Sequence, residues 1–333
     1  MRKTSAFCGG HGTPSLRSDR RYLAKASTYL VLILFLSGMF FGLRACAQEQ
    51  DNYAALREEV VGGDLAGRRF PAVGALFVDW GDGWASSQCT AFLVSSDTLY
   101  SATHCVEYAQ RARGKVAVGD RNLLVYFGER PPGKWLRFRA GGLPKENRSD
   151  PHFIAWRRAK RVHRMPGYTN GLQYAKDIAV IQLAEAIPND VIQPIAVNRD
   201  NLDLPPLDAE HNFVVAGFGA SSAAGYDDEF VKRSAPARRI AIAEVAAISD
   251  YYHHPNAFHT WGAGDPYGTV CYGDSGGALL RYANGRLQAL GVASGLLLPR
   301  GERHLRCGDR TINGWTRLDD PDVRAFLDSV GGP

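Results

Sequence analysis

Short apolar runs alternate with turn-forming residues along most of the chain. Ala72–Val78, Ala91–Val94, Leu123–Phe127, Ile178–Leu183, Phe213–Ala216 and Leu287–Ala293 are rich in Val, Ile, Leu and Phe, and Gly, Pro, Asn and Asp bound them. This texture predicts an all-β chain of many short strands, in a sandwich or barrel. One stretch reads as helix, Pro321–Val330. Asp320 is placed to cap it, Pro321 takes the first helical position, and Val323, Phe326, Leu327 and Val330 share one face. Residues 128–160 read as loop, with Pro131-Pro132 and Gly141-Gly142 as breaks. The basic run Arg157-Arg158-Ala159-Lys160-Arg161 reads as a solvated surface stretch.

A longer apolar run, Tyr29–Leu43, follows a basic segment and precedes Ala45-Cys46-Ala47. These features predict a secretory signal over residues 1–47, cleaved after Ala47. Two alternatives stay open: a retained membrane anchor, although the run is short for a span of roughly 20 residues, and lipidation at Cys46, although Arg44 sits close before it. The product is expected to be secreted or periplasmic, with membrane contact only if residues 29–43 are retained.

The leader also changes the meaning of the charge. The chain of 333 residues has a formal charge of +5. Residues 1–47 hold Arg2, Lys3, Arg17, Arg20, Arg21, Lys25 and Arg44 against Asp19, so the rest of the chain carries −1. A nearly neutral folded part argues against a nucleic-acid footprint. With 45% hydrophobic and 22% charged residues, the composition is that of a globular protein. Of the six cysteines, Cys8 and Cys46 lie in the leader. Cys89, Cys105, Cys271 and Cys307 remain, an even number that reads as two disulfides in an exported chain; three pairings are open. No C-x-x-C pair occurs, so the cysteines do not suggest a metal site.

Candidate chemistry concentrates in three places. Cys271-Tyr-Gly-Asp-Ser-Gly-Gly277 sets a serine between glycines. Glycines there let the backbone turn sharply, and the N–H groups of Gly273 and Ser275 can converge on one oxyanion, worth about 3–4 kcal/mol per donor. A serine hydroxyl needs an adjacent base, and His104 in Ser101-Ala-Thr-His-Cys105 is the candidate. A third group must orient the imidazole. Asp177 opens the apolar run Ile178–Leu183, where a half-buried carboxylate would need an N–H partner.

The segments Val60-Val-Gly-Gly63, Ser101–Cys105, Asp177–Leu183, Ala216-Gly-Phe-Gly219 and Gly273–Gly277 occur in the order found in trypsin/chymotrypsin-like serine proteases, and the chain resembles that family from about Val60 to its C-terminal helix. The order His, Asp, Ser separates this arrangement from other serine hydrolases. The resemblance implies two six-stranded antiparallel β-barrels and a C-terminal α-helix, with the site in the cleft between barrels. It implies His104, Asp177 and Ser275 as catalytic triad and Gly273 and Ser275 as oxyanion hole. Ser294 is implied to support the aspartate, and Cys89–Cys105 and Cys271–Cys307 are the implied disulfides. Residues 48–59 would be a short propeptide and 60–333 the protease domain. Cleavage would free the amine of Val60 to pair with Asp274. Protein or peptide substrates and an activating protease are the implied partners, and no cofactor or metal is expected. A homologue that has lost catalysis and serves as a binding protein is the alternative.

Two positions depart from the trypsin pattern. Glu59, not Arg or Lys, precedes Val60, so a tryptic activator is not expected. The resemblance places Thr269 at the pocket floor, with Ser294, Leu296 and Asn313 around it, so the expected P1 residue is small or medium and uncharged, not Arg or Lys. His253, His254 and His259 read as a polar loop with Pro255 and Asn256.

Overall fold

The computed structural model describes residues 64–111, 114–139, 141–168, 176–200, 213–219, 239–248, 257–262, 269–283, 285–297 and 311–333. Among them β-structure dominates. The first ring consists of β2 (Val73–Asp79), β7 (Leu123–Phe127), β9 (Ala155–Arg164), β10 (Ala179–Leu183), β4 (Thr98–Ser101) and β3 (Trp84–Leu93), in that spatial order. Pairing of β3 back onto β2 closes it into a six-stranded antiparallel barrel. A short β8 (Trp135–Arg137) extends β3, and β5 (Tyr108–Arg111) pairs with β6 (Gly114–Ala117) in a separate hairpin.

The second ring runs β13 (Arg239–Ile248), β12 (Phe213–Gly217), β15 (Ala278–Ala283), β16 (Arg286–Leu297), β17 (Thr311–Arg317) and β14 (Ala257–Gly262), and β14 returns to β13. Two short strands attach to it: β1 (Asp64–Leu65) along β13 and β11 (Ala196–Val197) along β16. Closure leaves neither ring with an open edge, which removes the exposed ladders that invite aggregation.

Strand periodicity explains how the second ring serves two cores. Phe213 and Val215 of β12 point into one cluster with Leu279, Leu290, Ala293 and Trp315. Their neighbours Val214 and Ala216 join the other cluster, which contains the first barrel's Leu76, Phe92, Leu99 and Ile181. Successive side chains on a strand face opposite ways, so one strand fills its own barrel and seals it against the rest. The expected helix is present as the second of two helices among the described residues, Pro321–Ser329 (α2). Asp320 Oδ1 accepts from the N–H groups of Asp322 and Val323 at 2.9 and 3.1 Å. Val323, Phe326 and Leu327 are buried in the larger cluster, and Val330 packs against it.

The reading of residues 128–160 as loop needs correction. Strand β8 lies within it, and β9 begins at Ala155, so the basic run is part of the barrel wall. Its charges do not all face water. Arg158 donates to Asp79 Oδ2 at 3.0 Å, while Lys160 and Arg161 are both exposed. Two consecutive exposed residues occur because the register against β10 shifts there: Gln182 faces Arg161 but Leu183 faces Ala159. Such a bulge breaks the alternation that would identify the strand in sequence. His259 also lies in a strand, β14, rather than a loop, while His253 and His254 fall outside the described residues.

Candidate active site

His104 sits on a single helical turn, Thr103–Glu107 (α1), placed directly after β4. Three contacts hold that turn. Thr103 Oγ1 donates to the carbonyl of Ile178 at 2.6 Å, tying the turn to the start of β10. Arg164 of β9 donates to the Val106 carbonyl through Nε at 3.1 Å and Nη2 at 2.7 Å. A disulfide links Cys105 to Cys89 of β3, with the two Cα atoms 6.0 Å apart.

Asp177, immediately before β10, is 1% exposed, a burial that a carboxylate tolerates only with partners. It has three. The His104 N–H donates to Oδ1 at 3.0 Å, and His104 Nδ1 lies 2.6 Å from Oδ2. Ser294 Oγ, from β16 of the second ring, donates to the same Oδ2 at 2.6 Å. The aspartate therefore holds His104 at both its backbone and its ring, and is itself held by the other barrel.

Ser275 lies on the turn between Cys271 and β15, half-buried. Cys105 Sγ is 3.6 Å from His104 Nε2 and 3.5 Å from the Ser275 carbonyl oxygen, so the histidine and the serine flank one sulfur. Gly273 has φ of +100°, a conformation that residues with a side chain rarely adopt. The N–H groups of Gly273 and Ser275 donate to nothing among the described residues. Asp274, 2% exposed, turns its carboxylate inward: Oδ1 accepts from Gly219 N–H at 2.6 Å and Oδ2 from Cys271 N–H at 2.8 Å.

The pocket residues meet in part. Thr269 and Asn313 are buried side by side, and Thr269 Oγ1 donates to Asn313 Oδ1 at 2.8 Å. Leu296 stands opposite Asn313 in the β16–β17 ladder. Cys271 is disulfide-bonded. Val60 and Cys307 lie outside the described residues, so the activation pair and the second disulfide lie outside as well. Cys89, His104 and Cys105 bring two sulfurs and a nitrogen within 4.8 Å. The sulfurs are bonded to one another, so this trio offers no thiolate pair to a metal.

Thr90 escaped the sequence reading. It precedes the apolar run Ala91–Val94 and has no local signature, yet its hydroxyl donates to the Gly273 carbonyl at 2.8 Å and accepts from Phe218 N–H at 3.0 Å.

The two closed barrels and the His–Asp–Ser order suggest one family, and comparison decides it: the trypsin family model matches residues 60–305. This chain belongs to the trypsin family. That is a family of serine endopeptidases acting on proteins and peptides, built of two β-barrels with a C-terminal helix. Comparison with curated proteins returns no match.

Proposed function

We propose that this trypsin-family chain is an active serine endopeptidase in which Ser275 is the nucleophile, His104 the general base and Asp177 its orienting carboxylate. The observation that carries the reading is Asp177 Oδ2, shared at 2.6 Å by His104 Nδ1 and by Ser294 Oγ of the other barrel. This arrangement favours the tautomer with the proton on Nδ1, leaving Nε2 free to accept a proton. In the proposed reaction Ser275 Oγ attacks the scissile carbonyl while Nε2 takes the hydroxyl proton. The oxyanion forms against the N–H groups of Gly273 and Ser275. Collapse expels the amine, which takes the proton from Nε2. Water then attacks the acyl-enzyme by the same route and releases the acid.

The finer assignments belong to the same proposal. The pocket of Thr269, Ser294, Leu296 and Asn313 takes a small or medium uncharged P1 residue. Residues 1–47 direct export and 48–59 are removed, freeing Val60 to pair with Asp274. A fluorophosphonate probe tests the core of the reading. Labelling of the purified protein that disappears in Ser275→Ala is expected; absence of labelling on protein with a mature N-terminus at Val60 rejects it. N-terminal sequencing of the exported form tests the processing, and a mature, fully active enzyme beginning at Gln48 refutes the Val60 assignment.

A further inference from the structure

We infer that the hydroxyl of Thr90 is a positioning group for the oxyanion hole, a single clamp from the first barrel that holds the nucleophile turn of the second. The inference rests on the endopeptidase reading above.

Thr90 is fully buried on β3. Every polar group it has is used. Its N–H donates to the Ser275 carbonyl at 2.8 Å, and its carbonyl accepts from Ser101 Oγ at 2.8 Å. Its hydroxyl donates to the Gly273 carbonyl and accepts from Phe218 N–H. The carbonyls of Gly273 and Ser275 flank the Ser275 N–H, and each belongs to a residue that supplies one of the two oxyanion N–H groups. Thr90 thus grips both donor residues by their carbonyls, Ser275 through its backbone and Gly273 through its side chain.

The side-chain grip matters because of what it holds. Gly273 is free to populate either sign of φ, so nothing in its own chemistry selects the +100° that it adopts. An external partner on its carbonyl restrains the adjoining peptide plane. The same hydroxyl engages Phe218, whose neighbour Gly219 donates to Asp274 Oδ1 at 2.6 Å. One hydroxyl therefore joins β3, the nucleophile turn and the end of β12. A hydroxyl both donating and accepting has its proton direction fixed, and buried networks satisfied in this way are rigid. Donors placed in advance at the oxyanion position are what lower the barrier, and a small displacement of them is expensive in rate.

The test compares Thr90→Val, which keeps the shape and removes the hydroxyl, with Thr90→Ser, which keeps the hydroxyl. Readouts are the second-order rate of fluorophosphonate labelling at Ser275 and kcat and KM on a peptide p-nitroanilide. The expected result for Thr90→Val is a loss of about 10- to 100-fold in labelling rate and kcat, with KM within about threefold. The pH at which the rate is half-maximal stays where it was, because the His104–Asp177 pair is untouched. Thr90→Ser recovers most of the rate. A purely structural role would lower thermal stability in Thr90→Val yet leave the rate of the folded enzyme at the wild-type level, and that result overturns the inference. Equal impairment of both variants overturns it too, since volume and not the hydroxyl would then matter. Should Thr90→Val fail to fold, Thr90→Ala replaces it and must still fall well below Thr90→Ser. A wild-type protein that never labels at Ser275 rejects the endopeptidase reading itself; a labelled wild type matched by Thr90→Val rejects this inference alone.

Discussion

Asp177 and Ser294 come from different barrels, and their buried side chains are joined by a 2.6 Å hydrogen bond. The oxygen that Ser294 engages is also the one that faces His104 Nδ1. Removing the hydroxyl leaves the carboxylate buried with one partner fewer, and a hydrogen bond to a charged group is worth about 1.5–3 kcal/mol. Ser294→Ala is therefore expected to lower kcat/KM by about 10-fold, with a matching loss of stability. Steady-state kinetics beside thermal unfolding check this, and an unchanged kcat/KM would show that the imidazole needs no help from the second barrel.

Asp177→Asn separates orientation from packing. The amide has nearly the same shape but offers the imidazole a donor or a neutral oxygen in place of a carboxylate. It also loses the charge that stabilises the imidazolium formed during attack. A fall in kcat of about 10⁴-fold is expected with KM little changed. A fall below about 10-fold would exclude Asp177 from the role proposed for it.

The Cys89–Cys105 bridge closes a sequence separation of 16 and ends beside His104. In the chain-entropy account a loop of that size contributes about 3 kcal/mol. The Cys89→Ala, Cys105→Ala double variant should unfold at correspondingly lower urea concentration. Activity should fall further than stability alone explains, because α1 loses one of its three anchors. Urea titration with kinetics measured well below the midpoint distinguishes the two effects.

A buried carboxylate in the segment before β9 gives a pH prediction. Burial of Asp150 pushes its pKa up, but hydrogen bonds from Tyr126 OH and from the N–H groups of Arg130, His152 and Glu129 outweigh this, and the net direction is down. A carboxyl whose pKa is lowered by folding stabilises the protein above its unfolded value, about 3.9. That contribution is lost as the pH falls through the folded value. Asp150→Asn should therefore cost about 2–3 kcal/mol at pH 7, and the gap to wild type should narrow below about pH 4. Urea titrations of both proteins at the two pH values measure the gap; one that stays constant across the acid range contradicts the assignment.

The proposed triad residues stand out in sequence because each carries its own local signal. Ser275 is framed by glycines, His104 is followed by a cysteine, and Asp177 opens an apolar strand. The C-terminal helix was legible for a similar reason: cap, proline and apolar face all occur within a few residues. Strand β9 was not, because four arginines and a lysine lie among its ten residues and a bulge interrupts its alternation. Arg158 and Arg164 find buried acceptors only after the barrel closes. Thr90 was hidden for a deeper reason. Its partners are 128 and 183 residues away, and no pattern around it announces either of them.

The bond between Thr269 and Asn313 sharpens the proposed P1 preference. In the proposed pocket Thr269 stands where a trypsin-like floor would have an acid, so no carboxylate there would attract Lys or Arg. The structure adds that its hydroxyl is engaged by Asn313, a fully buried side chain where an open pocket would have glycine. Introducing an acid alone is therefore not expected to confer tryptic cleavage: Thr269→Asp would set a carboxylate beside the Asn313 oxygen that now accepts the hydroxyl, with that asparagine still in place. The expected order on peptide p-nitroanilides is Ala and Val above Phe, with Arg lowest. Asn313→Gly should raise the rate on larger apolar P1 residues, by up to about 10- to 200-fold relative to Ala, the range that a pocket gains per methylene. Cleavage after Arg by the wild-type enzyme at a rate comparable to Ala would refute the pocket assignment. A Thr269→Asp, Asn313→Gly double variant that gains Arg cleavage, where Thr269→Asp alone does not, would show that the asparagine closes the pocket.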